Sequence, residues 1–437
     1  MPWQLLLLLI LGSAVALMLT GMPVAFCFTV VNIIGVFLLW GGISGLEQLT
    51  YSMMASVTTF SVMPVPLFIL MGELIFYSGV APVLIENLDK WLGRLPGRLS
   101  LLSVGAGTLF SSLTAVSMAS VAMLGDTLTP EMENRGYKKA MSIGPILAAG
   151  GLAHMIPPSD LGVILGAIGR ISIGKILMGI IFPGLLLASL YGAYIIIRCW
   201  LQPSIAPPYK VPPISIKEKV IATVRYVLPV GLVIFLVIGL IYLGVVTPTE
   251  AAATGAAGSF ALVACYRRLN WEVVKKSIAG TLRITVMLFM ILVGAKAFSQ
   301  ILSFSGATAG LVEAALSLPL SPIFIMVTMQ VVILFMGCFM EVVSIFMITL
   351  PIFIPVVLTL GFDTVWFAVL FLVNTEMALV TPPFGMSLFV MKGVAPPGTT
   401  MGDIVRAGLP FLGLMTIAMA LIIAFPEIAL WLPSMMR

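Results

Sequence analysis

Charge is scarce in this 437-residue chain: Asp, Glu, Lys and Arg together make up 9% of it, against 60% hydrophobic residues. Soluble domains carry roughly 25% charged residues, so the chain has too few charges to cover the surface of a water-soluble fold. Histidine is rarer still, with His154 alone, and the four cysteines, Cys27, Cys199, Cys265 and Cys338, include no CxxC pair. Those absences argue against a Cys/His metal centre, and the cysteines read as small packing residues in apolar runs. No GxxxxGK[ST] stretch occurs, so the chain does not hydrolyse ATP itself. With no nucleophile–base pair or metal cluster visible, an enzyme is not expected, and no cofactor is implied. No Lys or Arg precedes Lys90. A cleaved signal peptide needs a positive leading segment, so the first apolar run reads as a span. The net charge of +5 is dispersed over short loops and gives no basis for nucleic-acid binding.

What is present is long apolar runs, such as Leu5–Leu19, Val24–Trp40, Ile176–Ile197, Val227–Val246 and Phe411–Phe425. Several approach the ~20 residues that cross a bilayer core. The chain therefore reads as an all-α polytopic membrane protein embedded in a lipid bilayer. Spans are expected near 4–20, 24–40, 64–80, 140–168, 176–198, 222–246, 251–266, 284–302, 364–391 and 407–430. Placing the segment 81–98 in the cytoplasm puts both termini outside. All but four of the 22 Lys and Arg residues then fall on the cytoplasmic side, the exceptions being Arg170, Lys175, Lys296 and Arg437. That asymmetry is what the positive-inside rule requires.

Two stretches do not fit single spans. Residues 99–128 are flanked by positive charge at both ends and carry a polar, helix-poor middle, Gly107-Thr-Leu-Phe-Ser-Ser-Leu-Thr114. They read as a re-entrant helical hairpin opening inward. Residues 319–361, flanked by Glu313 and Asp363, read as a second one opening outward. At a fixed shift of 225 residues Ser112 falls on Gly337, Pro130 on Pro355, Gly136 on Gly361 and Pro157-Pro158 on Pro382-Pro383. The unit is a hairpin followed by a span broken at Pro-Pro, repeated in inverted orientation, which is how secondary transporters are built. Broken backbone at membrane depth is tolerated only where it is buried or lines a cavity.

Helix ends at such breaks expose backbone dipoles that favour ions, and sodium prefers oxygen ligands, as other hard cations do. One cation site per half is expected. Ser111, Ser112 and Thr114 supply hydroxyls at the first tip; Gly337, Glu341, Asn374 and Thr381 are the candidates in the second half. The substrate is expected between them, at the breaks, with His154, Pro158, Ser159, Asp160 and Pro383 as candidates. Lys296, the one clearly intramembrane cation, is a further candidate to pair with an anion. Arg170 and Lys175, positive charges on the outer face, are candidates for docking a partner protein. Glu376 is a further ionisable residue at depth in the second repeat.

Four motifs occur in order: Leu152-Ala-His-Met-Ile-Pro-Pro-Ser159, Thr247-Pro-Thr-Glu-Ala-Ala252, Met336-Gly-Cys-Phe-Met340 and Thr381-Pro-Pro-Phe-Gly-Met-Ser-Leu-Phe-Val390. Together they resemble the large membrane subunit of tripartite ATP-independent periplasmic (TRAP) transporters over nearly the whole chain. The resemblance implies an elevator-type carrier in the bacterial inner membrane, coupled to sodium ions and importing a small organic anion, a carboxylate or a sulfonate. It implies two partners: a small four-helix membrane subunit, expected here as a separate chain, and a periplasmic substrate-binding protein. A stand-alone ion-coupled carrier needing no binding protein is the alternative. The implied division is 1–98 scaffold, 99–170 first transport repeat, 171–300 scaffold and connecting helices, 301–395 second transport repeat and 396–437 C-terminal scaffold helix. The chain departs from the family pattern at Leu109-Phe-Ser-Ser112, where Ser-Gly-Ser-Ser is common, and at Met340-Glu341, where Met-Asp is common. It also departs at His154, where Gly is common, and at Asp160, where an apolar residue is common. The last two departures are expected to tune substrate choice.

Overall fold

The structure, a computed structural model, describes all residues except 1, 60–61, 94, 115–116, 209–214, 318, 339, 384 and 437, and the side chains of 19, 81, 111–114, 295 and 315–316 as well. The described residues are helical and contain no strand. Among them, Ile173–Leu201, Ile216–Tyr242, Trp271–Phe304, Val342–Thr359 and Met401–Ala424 are long and apolar enough to cross a membrane. Six shorter apolar helices join them, including Trp3–Met18 and Val24–Leu39.

Three elements go beyond what the sequence indicated. The segment after the third span holds a helix of its own: Pro64–Tyr77 is followed by the helix Val80–Leu92, and the pair bends by 76°. The helix Ile43–Val57 was not anticipated. Its apolar residues alternate with Glu47, Gln48, Thr50 and Ser52, so it has no continuous apolar run. The span expected at 284–302 is the second half of a 34-residue helix, Trp271–Phe304. At 1.5 Å per residue it is about 50 Å long, more than a bilayer core needs. Its charged first half, with Lys275, Lys276 and Arg283, hid that length from a reading based on apolarity.

The repeat extends much further than the breakers suggested. At the same shift of 225, the second hairpin arms Ser117–Asn134 and Val342–Thr359 coincide residue for residue. Each holds an interior proline, Pro130 or Pro355. Each ends in a glycine at positive φ, Gly136 at 81° and Gly361 at 77°, a conformation glycine adopts without steric cost. Both Pro-Pro bonds are cis. Outside the hairpins, Trp3–Leu19 corresponds to Leu228–Tyr242 and Val24–Leu39 to Pro248–Cys265. Val80–Leu92 corresponds to Ala307–Ser317, and Ile173–Leu201 to Met401–Ala424. Ile43–Val57 and Pro64–Tyr77 together match the single long helix Trp271–Phe304.

Packing sorts the helices into two groups. In the first, Trp271–Phe304 lies against Val24–Leu39, Ile43–Val57 and Pro64–Tyr77, and Pro64–Tyr77 lies against Pro248–Cys265. Buried Asn32 donates to the Gly294 carbonyl at 2.8 Å, and Phe28 meets Phe298 edge-to-face with centroids 4.8 Å apart. In the second group the hairpins lie against the broken spans. Lipid tails are as apolar as leucine, so helices in a membrane associate by close packing of small residues. A Cβ on Gly107 would stand 2.5 Å from Ala149 Cβ, and one on Gly337 would stand 2.2 Å from Ala378 Cβ. Glycine at these points lets each hairpin press onto its own broken span. The helices Ile181–Leu201 and Met401–Ala424 pack against each other and against the broken spans.

Candidate functional site

The first break runs from Met155 to Ser159, between Gly144–Gly151 with its short 3-10 turn Leu152–His154 and the helix Asp160–Gly169. Proline has no N–H and disfavours helical backbone in the residue before it, so Pro157-Pro158 ends the first half-span. Ser159 starts the second: its side chain accepts from the Gly162 N–H at 3.1 Å, the standard N-cap arrangement. Pro157, Pro158 and Ser159 are buried. Ile181–Leu201 passes directly beneath, where a Cβ on Gly184 would meet the Met155 carbonyl oxygen at 2.2 Å.

Three ionisable side chains meet at this break. His154 Nδ1 bonds Glu376 Oε1, and His154 Nε2 lies 3.6 Å from Asp160 Oδ1. Glu376 comes from the second broken span, Thr364–Val380, 222 residues away. Its repeat-mate at the shift of 225 is Gly151, and a Cβ there would stand 2.9 Å from Glu376 Oε2. The absence of a side chain at residue 151 makes room for the carboxylate at 376. Glu376 Oε2 has no hydrogen-bond partner among the described residues.

The second break is different. Pro382 and Pro383 are exposed, Thr381 is half-buried and its hydroxyl donates back to the Met377 carbonyl at 2.6 Å. The following helix, Met386–Val394, starts at Gly385 without a side-chain cap. Asn374 donates to the Gln330 carbonyl at 2.6 Å and to Gln330 Oε1 at 2.9 Å, tying the broken span to the first hairpin arm Pro322–Gly337. Glu341 caps the other arm, accepting from the Ser344 N–H at 3.3 Å. At the first tip, the side chains of Ser111, Ser112 and Thr114 lie outside the described residues.

The substrate candidates therefore do not converge on one point. His154, Pro158, Ser159 and Asp160 belong to the first break and Pro383 to the second. Lys296 lies elsewhere, in a cavity of 1290 Å³ between the two groups of helices, and Arg170 lines the same cavity. The described lining carries no Asp or Glu; its other polar residues are amides and hydroxyls such as Gln300, Ser299, Ser303 and Thr308. Among the described residues no ion pair joins Arg170 or Lys296 to a carboxylate. Arg170 closes the helix Asp160–Gly169 in the left-handed region, φ 54°, where non-glycine residues cost about 1–3 kcal/mol and cluster at functional sites. Lys175 is exposed nearby, on the helix Ile173–Gly179 that Ser172 caps. The clustering of Arg170 with Lys296 carried no sequence signal beyond their shared exception to the charge asymmetry.

The four ordered motifs now have structural meaning. Thr247 and Glu250 form a reciprocal capping box, Thr247 N–H to Glu250 Oε2 at 2.7 Å and Glu250 N–H to Thr247 Oγ1 at 3.3 Å, that starts Pro248–Cys265. The other three motifs form the two breaks and the second hairpin tip. In comparisons with known proteins, residues 11–428 match the family described as the tripartite ATP-independent periplasmic transporter, DctM component. The C4-dicarboxylate TRAP transporter large permease protein DctM of Pseudomonas aeruginosa is 32% identical, over 86% of each chain. Its namesake in Vibrio cholerae is 30% identical over 100% of this chain and 98% of its own length. The ectoine TRAP transporter large permease protein TeaC of Halomonas elongata is 28% identical over 97% and 98%. Among solved structures, the Alcanivorax borkumensis YdaH transporter shares the fold, with a TM-score of 0.67 and 15% identity over 91% of each chain. The helical membrane architecture, the four motifs at its breaks and caps, and these relatives place this chain in the DctM family of large permease subunits of TRAP transporters.

Proposed function

We propose that this chain imports a small organic anion, a carboxylate or a sulfonate, by a sodium-coupled elevator mechanism in the bacterial inner membrane. The observation that carries the reading is the cavity between the two groups of helices. It is large enough for a small organic molecule, and the charged residues of its described lining are Arg170 and Lys296, with no acidic residue. Lys296 is half-buried and Arg170 is exposed to the cavity, so an anion that enters meets both positive charges. In the topology read from charge, this cavity faces the periplasm and both termini do too. Relatives named for C4-dicarboxylate transport support a carboxylate.

The second group of helices, which holds both hairpins and both broken spans, is the moving body in this reading. The first group, around Trp271–Phe304, is the scaffold. The hairpins are re-entrant, one from each side, and the repeats are inverted. In this reading the moving body takes in, besides residues 99–170 and 301–395, the helices Ile181–Leu201 and Met401–Ala424, which pack against the broken spans. Sodium binds at the hairpin tips, through the hydroxyls of Ser111, Ser112 and Thr114 in the first half and around Gly337, Glu341 and Thr381 in the second. Asn374, committed to Gln330, holds the second tip in place. A small four-helix membrane subunit stiffens the scaffold, and a periplasmic binding protein delivers the anion, with Lys175 at the docking face.

The test is reconstitution. Proteoliposomes holding this chain and the small subunit, supplied with the binding protein and labelled C4-dicarboxylates or sulfonates, take up substrate only down an inward sodium gradient. Undiminished uptake with choline in place of sodium removes the coupling. Uptake by the chain alone, without a binding protein, supports the stand-alone carrier instead.

A further inference from the structure

The three-residue cluster at the first break is not needed for anion binding in the cavity, and its geometry has its own demand. His154 Nδ1 bonds Glu376, and its Nε2 faces the Asp160 carboxylate, whose Oδ1 stands 3.6 Å away and accepts from the Leu161 N–H at 2.6 Å. A neutral imidazole carries one N–H and one lone pair. It can therefore meet only one of the two carboxylates as a donor and turns a lone pair to the other. Both contacts are favourable only when the group of three holds one more proton, either on the ring as imidazolium or on one acid. We propose that His154, with Glu376 and Asp160 as its counter-charges, is a proton-binding site that joins the two repeats.

Burial sharpens the demand. The side chains of Glu376, His154 and Asp160 are 1%, 7% and 14% exposed. Without the extra proton, two carboxylate charges stand at the break with no cation, which is costly out of water. With it, one is neutralised. Oε2 of Glu376 is buried and has no hydrogen-bond partner among the described residues. Asp160, the most exposed of the three, is the route by which a proton from water reaches the ring.

The surroundings do not supply the missing charge. Among the described residues, Tyr191 on Ile181–Leu201 feels the charge of Glu376, and Glu341 in the second hairpin feels that of Asp160. Neither is a cation. Arg98 is tied to Asp89 and Lys139 to Asp403. The side chains of Asp126, Arg198, Lys392 and Arg406 on the packed helices are exposed. No set of three His, Cys, Asp or Glu side chains among the described residues is arranged to hold a metal ion.

His154 is the only histidine, so histidine-labelled full-length protein in lipid nanodiscs gives one imidazole signal by NMR. The titration needs neither substrate nor sodium, so it decides this site even where the transport reading fails. The ring is expected to change protonation in one step between about pH 5 and pH 9. Glu376→Gln, which keeps the side chain's shape, is expected to move that midpoint by about one unit or more. Asp160→Asn, at the more exposed member, gives the same test by a milder change, with a shift in the same direction. A ring whose protonation is constant over that range, or a midpoint that neither variant moves, would overturn the proposal and leave the cluster a packing contact.

Discussion

The two Pro-Pro breaks are related by one repeat and share their backbone form, yet their chemistry has diverged. The first is buried, its following helix is capped by Ser159, and three ionisable side chains are gathered on it. The second is exposed at Pro382 and Pro383, has no side-chain cap at Gly385, and offers only the Thr381 hydroxyl, which bonds its own helix. The repeat thus fixes where the backbone breaks, while single positions decide what each break does. The pair Gly151 and Glu376 shows this at one point: the smallest side chain in one copy leaves the space that the other copy fills with a carboxylate.

The contrast predicts graded effects. Glu376→Leu strips the buried partner from His154 and is expected to cost about 3–5 kcal/mol, read as a large loss of thermal stability in detergent. A cost under 1 kcal/mol would mean that the first break is no more tightly held than the second. Arg170→Gly removes the left-handed strain at the end of the first broken span and is expected to stabilise the protein by about 1 kcal/mol while weakening uptake. Lowered stability in that variant would show that the Arg170 side chain earns its place by packing rather than by charge. Ser159→Ala removes a buried cap and is expected to cost about 1 kcal/mol. Thr381→Val, at the exposed break, is expected to change stability by a few tenths of a kcal/mol, since its hydroxyl only bonds back within its own helix. Equal costs for Ser159→Ala and Thr381→Val would erase the distinction between the breaks.

Much of this was legible in the sequence because backbone breakers act locally. Pro157-Pro158, Pro382-Pro383, Gly136 and Gly361 each act on neighbouring residues, so their spacing located the breaks and the hairpin arms. Elements defined by apolarity were less secure. Trp271–Phe304 was cut short because its first half carries charge, and Ile43–Val57 was passed over because polar residues interrupt it. The full extent of the repeat was hidden for a related reason: helix positions match at 225 residues, but few side chains are shared outside the breakers. The sites were the least legible part. His154 and Glu376 lie 222 residues apart, and only packing of one broken span on the other brings them together. Arg170 is exposed, as its place at a helix end suggests, and only the fold sets it on the same cavity as Lys296.

The central claim is that this cavity holds the transported anion by positive charge. Its most direct measurement is the KM of sodium-driven uptake in proteoliposomes bearing Lys296→Met or Arg170→Gln, with folding checked by thermal unfolding. Lys296 is half-buried and Arg170 exposed, so losing either charge contact is expected to cost about 1 kcal/mol and to raise KM by about fivefold. A KM within about twofold of the unaltered protein in both variants, below the effect of one lost charge contact, would contradict the account and move the anion site away from the cavity.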